Sequence, residues 1–295
     1  MVTEAEKKKW KNLAKDKYPK PLIFHDGRLA LKPTPLTTLA LFIWVPSAFI
    51  ISLIRITIGV SLPYNIATPL LAFTGLRLTT SKPKTIIKDQ KPKGHNLYAC
   101  NHRTLLDPLY LAFALKRDLV TVTYSLSKVS EILAPIKTVR LTRNRDKDAK
   151  RMKGLLKQGD LVVCPEGTTC REAYLLRFSP LFSELCDEIV PVAVDCRVTM
   201  FHGTTAGGLK CLDPLLFMMN PTPCYSVQLL QKVSSPSLPN RRMNEKARFE
   251  VANQVQKQIG TVLGFECTTL NRKDKYLILA GNEGAVSTTK TGRNV

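Results

Sequence analysis

Residues 96–116 have the sequence NLYACNHRTLLDPLYLAFALK, which contains a short apolar run, a polar loop and an apolar helical pattern. The run at 96–100 predicts a buried strand. Asp107 followed by Pro108 predicts the start of a helix, with Asp107 as the N-cap. His102 then lies in the loop between strand and helix. In α/β proteins, sites are built at this position, at the carboxyl end of a strand.

The same alternation of apolar runs and helical patterns continues to near the C-terminus. It predicts an α/β fold in which helices flank a mostly parallel central sheet. Further strands are predicted at 119–123, 138–141, 161–164, 189–195 and 225–230. Helices are predicted at 108–116, 128–134, 146–157 and 245–263, the last one capped by Asn244.

An apolar segment over 36–78 precedes this domain, with Arg55 as its one full charge before Arg77. Residues 36–54 are about as long as the ~20 residues that span a bilayer. The second apolar run is interrupted by glycine and proline, and basic residues lie on both flanks. We therefore predict a tight or incomplete membrane hairpin over 36–78 with both ends in the cytosol. A buried two-helix cap of a soluble domain is the alternative.

Composition divides the rest of the chain into a basic N-terminal arm at 1–35, a main domain at 79–281 and a polar, flexible tail at 282–295. The net charge of +21 predicts an anionic partner, which is a lipid surface, a phosphorylated substrate or nucleic acid. Aromatic residues make up only 7% and are not interleaved with basic ones. This composition argues against nucleic acid as a partner.

The eight cysteines are scattered along the chain, with no C-x-x-C pair and no clustered histidines. This pattern predicts reduced core cysteines and no metal site.

His102 and Asp107 form the first candidate for chemistry. A loop histidine can fold back onto a carboxylate that fixes its tautomer and stabilises its protonated form. Such a couple activates a hydroxyl without a serine or cysteine nucleophile. The octapeptide alone fits equally well a helix cap beside an ordinary loop histidine.

Residues 161–171, LVVCPEGTTCR, provide the second signal, a buried strand that enters a turn. Gly167 permits a turn whose N–H groups point at an anion, and Arg171 can hold a phosphate in a bidentate fork. A plain turn with a surface arginine is the alternative. The two motifs follow two strand ends in order, which favours a shared site.

The chain resembles the glycerophospholipid acyltransferase family, whose N-H-x-x-x-x-D and P-E-G-T blocks match 101–107 and 165–168. The family's other two blocks match the arginines of 138–143 and the strand at 190–193. The amino-acid sequence within these blocks is similar to that of the land-plant glycerol-3-phosphate acyltransferases that supply cutin and suberin.

The resemblance implies that the domain at 79–281 transfers an acyl group from acyl-CoA to glycerol 3-phosphate, frequently at the sn-2 hydroxyl. It further implies membrane lipid as a partner, no cofactor besides the co-substrate acyl-CoA, and an endoplasmic reticulum membrane location with the domain facing the cytosol. His102 is then the general base and Asp107 orients it. Backbone N–H groups near 103–108 are candidate oxyanion donors. The implied phosphate contacts are Arg143, Glu166, Gly167, Thr168 and Arg171.

Members of the plant group typically carry an N-terminal phosphatase-like domain, for which this sequence has no D-x-D-x pattern ahead of its first acyltransferase block. We expect a fragment or a shortened paralogue whose product stays a lysophosphatidic acid. Two alternatives remain open, a lysophosphatidic acid acyltransferase and an inactive basic membrane adaptor.

Overall fold

The structure, a computed structural model, describes residues 35–82, 95–124, 135–171, 173–205, 210–235 and 244–275. The predicted basic arm, apart from its last residue, the tail at 282–295 and the helix at 128–134 lie outside the described residues.

Besides two 3₁₀ helices and a helical turn at 272–275, the structure describes six α-helices, and most of them lie where the sequence predicts them. They are α1 (Pro35–Ser61), α2 (Tyr64–Phe73), α3 (Asp107–Leu115), α4 (Arg145–Leu156), α5 (Asp213–Met218) and α6 (Glu245–Leu263). Asn244 caps α6 as predicted, because its side-chain oxygen accepts a hydrogen bond from the N–H of Ala247 at 2.7 Å.

Ten strands are described, and the predicted ones differ from the observed ones by no more than two residues at either end. They are β1 (Arg77–Ser81), β2 (Leu97–Cys100), β3 (Val120–Thr123), β4 (Lys137–Arg140), β5 (Leu161–Val163), β6 (Tyr174–Leu175), β7 (Glu188–Arg197), β8 (Cys224–Leu229), β9 (Val233–Ser234) and β10 (Glu266–Cys267).

The main sheet has the order β1-β8-β7-β2-β5-β3-β4. Its pairs are parallel except where β7 meets β8 and β9. Side chains of β2 alternate between two cores: Tyr98 and Cys100 face α2 and α3, whereas Leu97 and Ala99 face α4 and α6. Helices therefore cover both faces, and the predicted α/β class with a mostly parallel sheet is confirmed. This order also places β2 and β5, which precede the two motifs, side by side.

The predicted hairpin has two very unequal arms. The 27 residues of α1 continue through Gly59 and span about 40 Å at 1.5 Å per residue. The ten residues of α2 span only about 15 Å, too short for a second crossing. Within the described residues, one stretch, Thr38–Ser61, has the length and hydropathy of a membrane span, and most of it is exposed.

Two side chains fasten α1 to the main domain. The indole N–H of Trp44 donates to the carbonyl of Met219 at 2.7 Å. The fully buried Arg55 donates to the carbonyls of Met218 and Asn220, both at 2.6 Å. Its other N–H groups donate to oxygens of Thr74 and Pro221. All five guanidinium N–H groups are thus satisfied, which offsets the cost of burying this charge.

Candidate active site

His102 and Asp107 form the predicted couple. The loop after β2 folds back, so that His102 Nδ1 lies 2.8 Å from Asp107 Oδ2. The His102 side chain is 16% exposed and Asp107 is fully buried. Within the described residues no hydrogen bond engages His102 Nε2, and His102 lines a cavity. With Nδ1 held by the carboxylate, Nε2 is the nitrogen that can take a proton from a substrate.

The Asp107 carboxylate organises the loop and does not cap α3. It accepts hydrogen bonds from the N–H groups of Arg103 (2.6 Å) and Thr104 (3.0 Å) and from the Tyr225 hydroxyl. The cap position of α3 is Leu106, and Asp107 is the first helical residue, so the predicted N-cap role is wrong. The carboxylate turns to the loop because those N–H groups and His102 lie upstream of it.

The same contacts bear on the expected oxyanion donors near 103–108. The N–H groups of Arg103 and Thr104 donate to Asp107, and that of Leu106 donates to the Thr104 hydroxyl at 3.0 Å. These three groups are engaged inside the loop and do not point at a ligand.

Glu166 joins the two motif loops. One carboxylate oxygen accepts from the N–H of His102 at 2.7 Å, and the other accepts from the N–H of Leu176 at 3.0 Å. The N–H of Cys170 also donates to the carbonyl of His102 at 2.7 Å. The backbone of His102 is thus held on both sides by the segment from Glu166 to Cys170, which fixes its position in the loop.

Burial raises the pKa of Glu166 to about 7, although the N–H groups of His102 and Leu176 act in the opposite direction. Near neutral pH this bridging carboxyl therefore changes its charge.

Gly167 has a backbone φ of +68°, as its predicted turn requires. Its N–H donates to the carbonyl of Cys164 at 3.1 Å and closes the turn. This N–H group consequently does not point at an anion.

A cavity of about 950 Å³ opens beside the couple. Its wall includes His102, Glu166 and Gly167 together with Leu53, Ile56 and Val60 of α1, Leu105 just before α3, Leu109 in its first turn, and Ile136. The size suits a small-molecule site, and apolar residues dominate the wall. The cavity thus extends from the apolar helix α1 to His102.

The structure brings four of the predicted site residues together, namely His102, Asp107, Glu166 and Gly167. Thr168 is buried behind the turn, where Lys275 Nζ lies 3.5 Å from its hydroxyl. Arg143 is exposed with φ +67°, and Arg171 is half-buried. Neither arginine lines the cavity, so their role in phosphate binding stays a prediction.

Two further residues position the couple and were not predicted. Tyr225 on β8 donates to Asp107, and its hydroxyl lies 2.6 Å from that of Thr104. Asn101 makes two hydrogen bonds to the backbone of Val194, of 2.8 and 2.7 Å, and so ties the loop to β7. Nothing in the sequence near the motif points to Tyr225, whereas Asn101 is the first residue of the matched block.

Cys164 is the cysteine closest in sequence to the P-E-G-T turn. Its Sγ lies 3.4 Å from that of Cys100, and this contact together with burial raises the pKa of Cys164 well above its ordinary value. Because a thiolate is the nucleophile, this side chain is poorly suited to form an acyl-enzyme. Among the residues that the structure describes, no group of three potential ligands could hold a metal ion.

Residues 82–195 match the Acyltransferase family. The chain is 60% identical over 291 residues to "Probable glycerol-3-phosphate acyltransferase 2" of Arabidopsis thaliana, covering 97% of this chain and 55% of that protein. It is 58% identical over 278 residues to Arabidopsis thaliana glycerol-3-phosphate acyltransferase 1, covering 93% and 46%. It is 48% identical over 283 residues to glycerol-3-phosphate acyltransferase RAM2 of Petunia hybrida, covering 96% and 58%.

The chain therefore spans about half the length of the curated relatives it matches. Among solved structures it is similar to the 1-acyl-sn-glycerophosphate (LPA) acyltransferase PlsC of Thermotoga maritima. The TM-score is 0.40 and the identity 13%, over 77% of this chain and 95% of that one. The match at 82–195 identifies an acyltransferase family domain in this chain, and over 97% of its length the chain is 60% identical to a plant protein named as an acyltransferase.

Proposed function

We propose that this chain transfers an acyl group from acyl-CoA to a hydroxyl of glycerol 3-phosphate, giving lysophosphatidic acid and coenzyme A. The observation that carries the proposal is the His102–Asp107 couple, 2.8 Å apart, in the wall of a largely apolar cavity. The names of the plant relatives support the choice of acceptor.

In the proposed reaction, His102 Nε2 takes the proton of the acceptor hydroxyl as its oxygen attacks the thioester carbonyl. Asp107 holds the imidazole through Nδ1 and stabilises the imidazolium that forms. When the tetrahedral intermediate collapses, the carbon–sulfur bond breaks and the imidazolium returns the proton to the thiolate of coenzyme A. General-base catalysis of this kind contributes roughly 10²–10⁴-fold.

The apolar part of the cavity suits the acyl chain. Leu53, Ile56 and Val60 of α1 belong to the same wall as His102, so a chain that enters from the side of α1 meets apolar side chains there. Burying each methylene of the chain is worth about 0.8 kcal/mol, which favours long acyl groups.

For location, we propose that α1 and α2 attach the protein to the endoplasmic reticulum membrane, with the main domain in the cytosol. Exposed apolar side chains such as Phe42, Ile43 and Phe73, between 77% and 93% exposed, support lipid contact. The domain contacts α1 from Trp44 to Arg55, about 16 Å of its length, which lipid cannot surround on all sides. This favours attachment from one side of the bilayer. The role in cutin synthesis implied by the resemblance stays a prediction.

Parallel assays of the purified chain with acyl-CoA test the proposal. Glycerol 3-phosphate should be the better acceptor, and the product should keep its phosphate. Preference for lysophosphatidic acid would favour the related acyltransferase activity. No transfer to either acceptor by the folded protein would favour the inactive adaptor.

A further inference from the structure

We propose that Arg177 and Arg272 form an anion-binding subsite in the cavity wall, which takes a phosphate group of one of the substrates. This inference rests on the proposed function, because it assigns the phosphate contacts of the same site. It also differs from the assignment of Arg143 and Arg171 that the motifs suggest.

The cationic residues of the wall lead to this assignment. Among the described residues that line the cavity, the lysines and arginines are Arg55, Arg177 and Arg272. Arg55 is fully buried and donates all of its N–H groups to oxygens of the protein. Arg177 is exposed and Arg272 is half-buried, so, unlike Arg55, both reach the surface of the wall, where a charged substrate can meet them.

Arg177 is tied closely to the base. The N–H of Leu176, just before it, donates to Glu166, and the N–H of Ser179, just after it, donates to the carbonyl of Pro165 at 2.9 Å. The other oxygen of Glu166 accepts from the N–H of His102. One buried carboxylate thus fixes both the loop of the base and the segment that carries Arg177.

Arg272 lies on the neighbouring segment. β6 and β10 pair in parallel, and beyond them the N–H of Arg177 donates to the carbonyl of Leu270 at 2.8 Å. The following turn is fixed by Asn271, whose side-chain oxygen accepts from the N–H of Lys273 at 2.8 Å. The two arginines therefore lie on adjacent, well-anchored parts of the same wall.

The environment of Arg177 suits a phosphate. Its neighbours Leu176 and Phe178 are fully buried, whereas Arg177 is exposed, as expected for alternating residues of an extended segment. Its guanidinium carbon lies 5.7 Å from the centre of the Phe249 ring, and such stacking leaves the N–H edge able to bind a phosphate in a bidentate fork. A phosphate held there stays near water while the acyl chain enters the apolar part of the cavity.

Steady-state kinetics of the full chain test the subsite, using Arg177→Ala, Arg272→Ala and the double variant. We expect kcat/KM for glycerol 3-phosphate to fall about 10-fold to 100-fold, as for the loss of a charged hydrogen bond. The rate with glycerol, which lacks the phosphate, should not change. Arg117→Ala is the matched control, because it removes the same charge from a side chain that is 63% exposed and outside the cavity wall.

Comparing the KM values of the two substrates also shows which of them supplies the bound phosphate. A rise in KM for glycerol 3-phosphate assigns the subsite to the acceptor, and a rise confined to acyl-CoA assigns it to the phosphates of coenzyme A. Kinetics like those of Arg117→Ala, an equal loss with glycerol, or an effect confined to Arg143→Ala and Arg171→Ala would overturn the proposal. Arg177→Lys should restore activity only partly.

If the wild-type chain transfers no acyl group, the proposed function is refuted but the proposed subsite is not. Equilibrium binding of labelled glycerol 3-phosphate and of acyl-CoA then decides the inference. The double variant should bind one of them at least about 10-fold more weakly than wild type does, and equal binding of both would overturn it. Arg177→Gln replaces Arg177→Ala if the alanine variant does not fold.

Discussion

The Asp107→Asn substitution separates the charge of the carboxylate from its place in the loop. At the Oδ2 position three N–H groups converge, from His102, Arg103 and Thr104. At the Oδ1 position the contacts include the hydroxyls of Thr104 and Tyr225, which can rotate and accept. The asparagine oxygen should therefore occupy the Oδ2 position, where it keeps the loop and the tautomer of His102.

What the variant loses is the negative charge opposite the imidazolium. Two unit charges about 4 Å apart interact by about 4 kcal/mol at an effective dielectric constant near 20. Since each 1.4 kcal/mol is a factor of ten, kcat should fall about 10³-fold. The KM for acyl-CoA should change little, because Asp107 lies behind His102 and contacts no substrate in the proposed reaction.

The assay measures kcat together with the thermal unfolding midpoint. Asp160→Asn is the control, since this nearly buried carboxylate holds the N–H of Asn96 at 2.7 Å, at the opposite end of β2 from His102. It should leave kcat close to that of wild type. A folded Asp107→Asn protein that loses less than about tenfold in kcat would refute the electrostatic role.

Three further predictions concern the buried carboxyl of Glu166, the hydrogen bonds of Arg55 and the apolar helix α1. Burial raises the pKa of Glu166 from 4.5 to about 7, so the stability contributed by its protonation is complete below pH 4.5 and is lost as the pH rises through 7. The thermal unfolding midpoint of Glu166→Gln should therefore depend less on pH in that range than the midpoint of wild type does. Equal pH dependence would contradict this prediction. Arg55→Met should lower the unfolding midpoint, because it leaves backbone carbonyls unpaired, and the midpoint of Arg55→Lys should lie between those of Arg55→Met and wild type. An unchanged midpoint in Arg55→Met would show that these hydrogen bonds do not stabilise the fold. Deleting Pro35–Ser61 should make membrane attachment sensitive to 1 M salt, where charges are screened within ~3 Å. The intact chain should instead need detergent for release. Release of the intact chain by salt alone would exclude α1 as a membrane anchor.

Local patterns were enough to predict much of the fold and the centre of the site. The strands at 96–100 and 161–164 are continuous apolar runs because both faces of the sheet are covered. The His102–Asp107 couple spans five residues, so a single loop decides whether the side chains meet.

Contacts between distant segments could not be predicted in this way. Tyr225 meets Asp107 across 118 positions, and the contact of Glu166 with His102 depends on β2 and β5 being neighbours in the sheet. The sheet order that creates these neighbours follows from packing of the whole domain, and periodicity in one segment does not record it.

The N-cap assignment of Asp107 failed for a related reason. Asp–Pro at a helix start is a sound local signal, but it does not reveal competing donors. Here Arg103, His102 and Thr104 lie on the upstream side and engage the carboxylate. A residue that would otherwise stabilise a helix thereby orients the proposed base.

The most direct test of the central claim is formation of lysophosphatidic acid from acyl-CoA and glycerol 3-phosphate by the purified chain, compared with its His102→Ala variant. We predict transfer by the wild type and a loss of at least about 10²-fold in the variant, with the unfolding midpoint and membrane attachment retained. A folded His102→Ala protein that turns over like wild type would contradict the account.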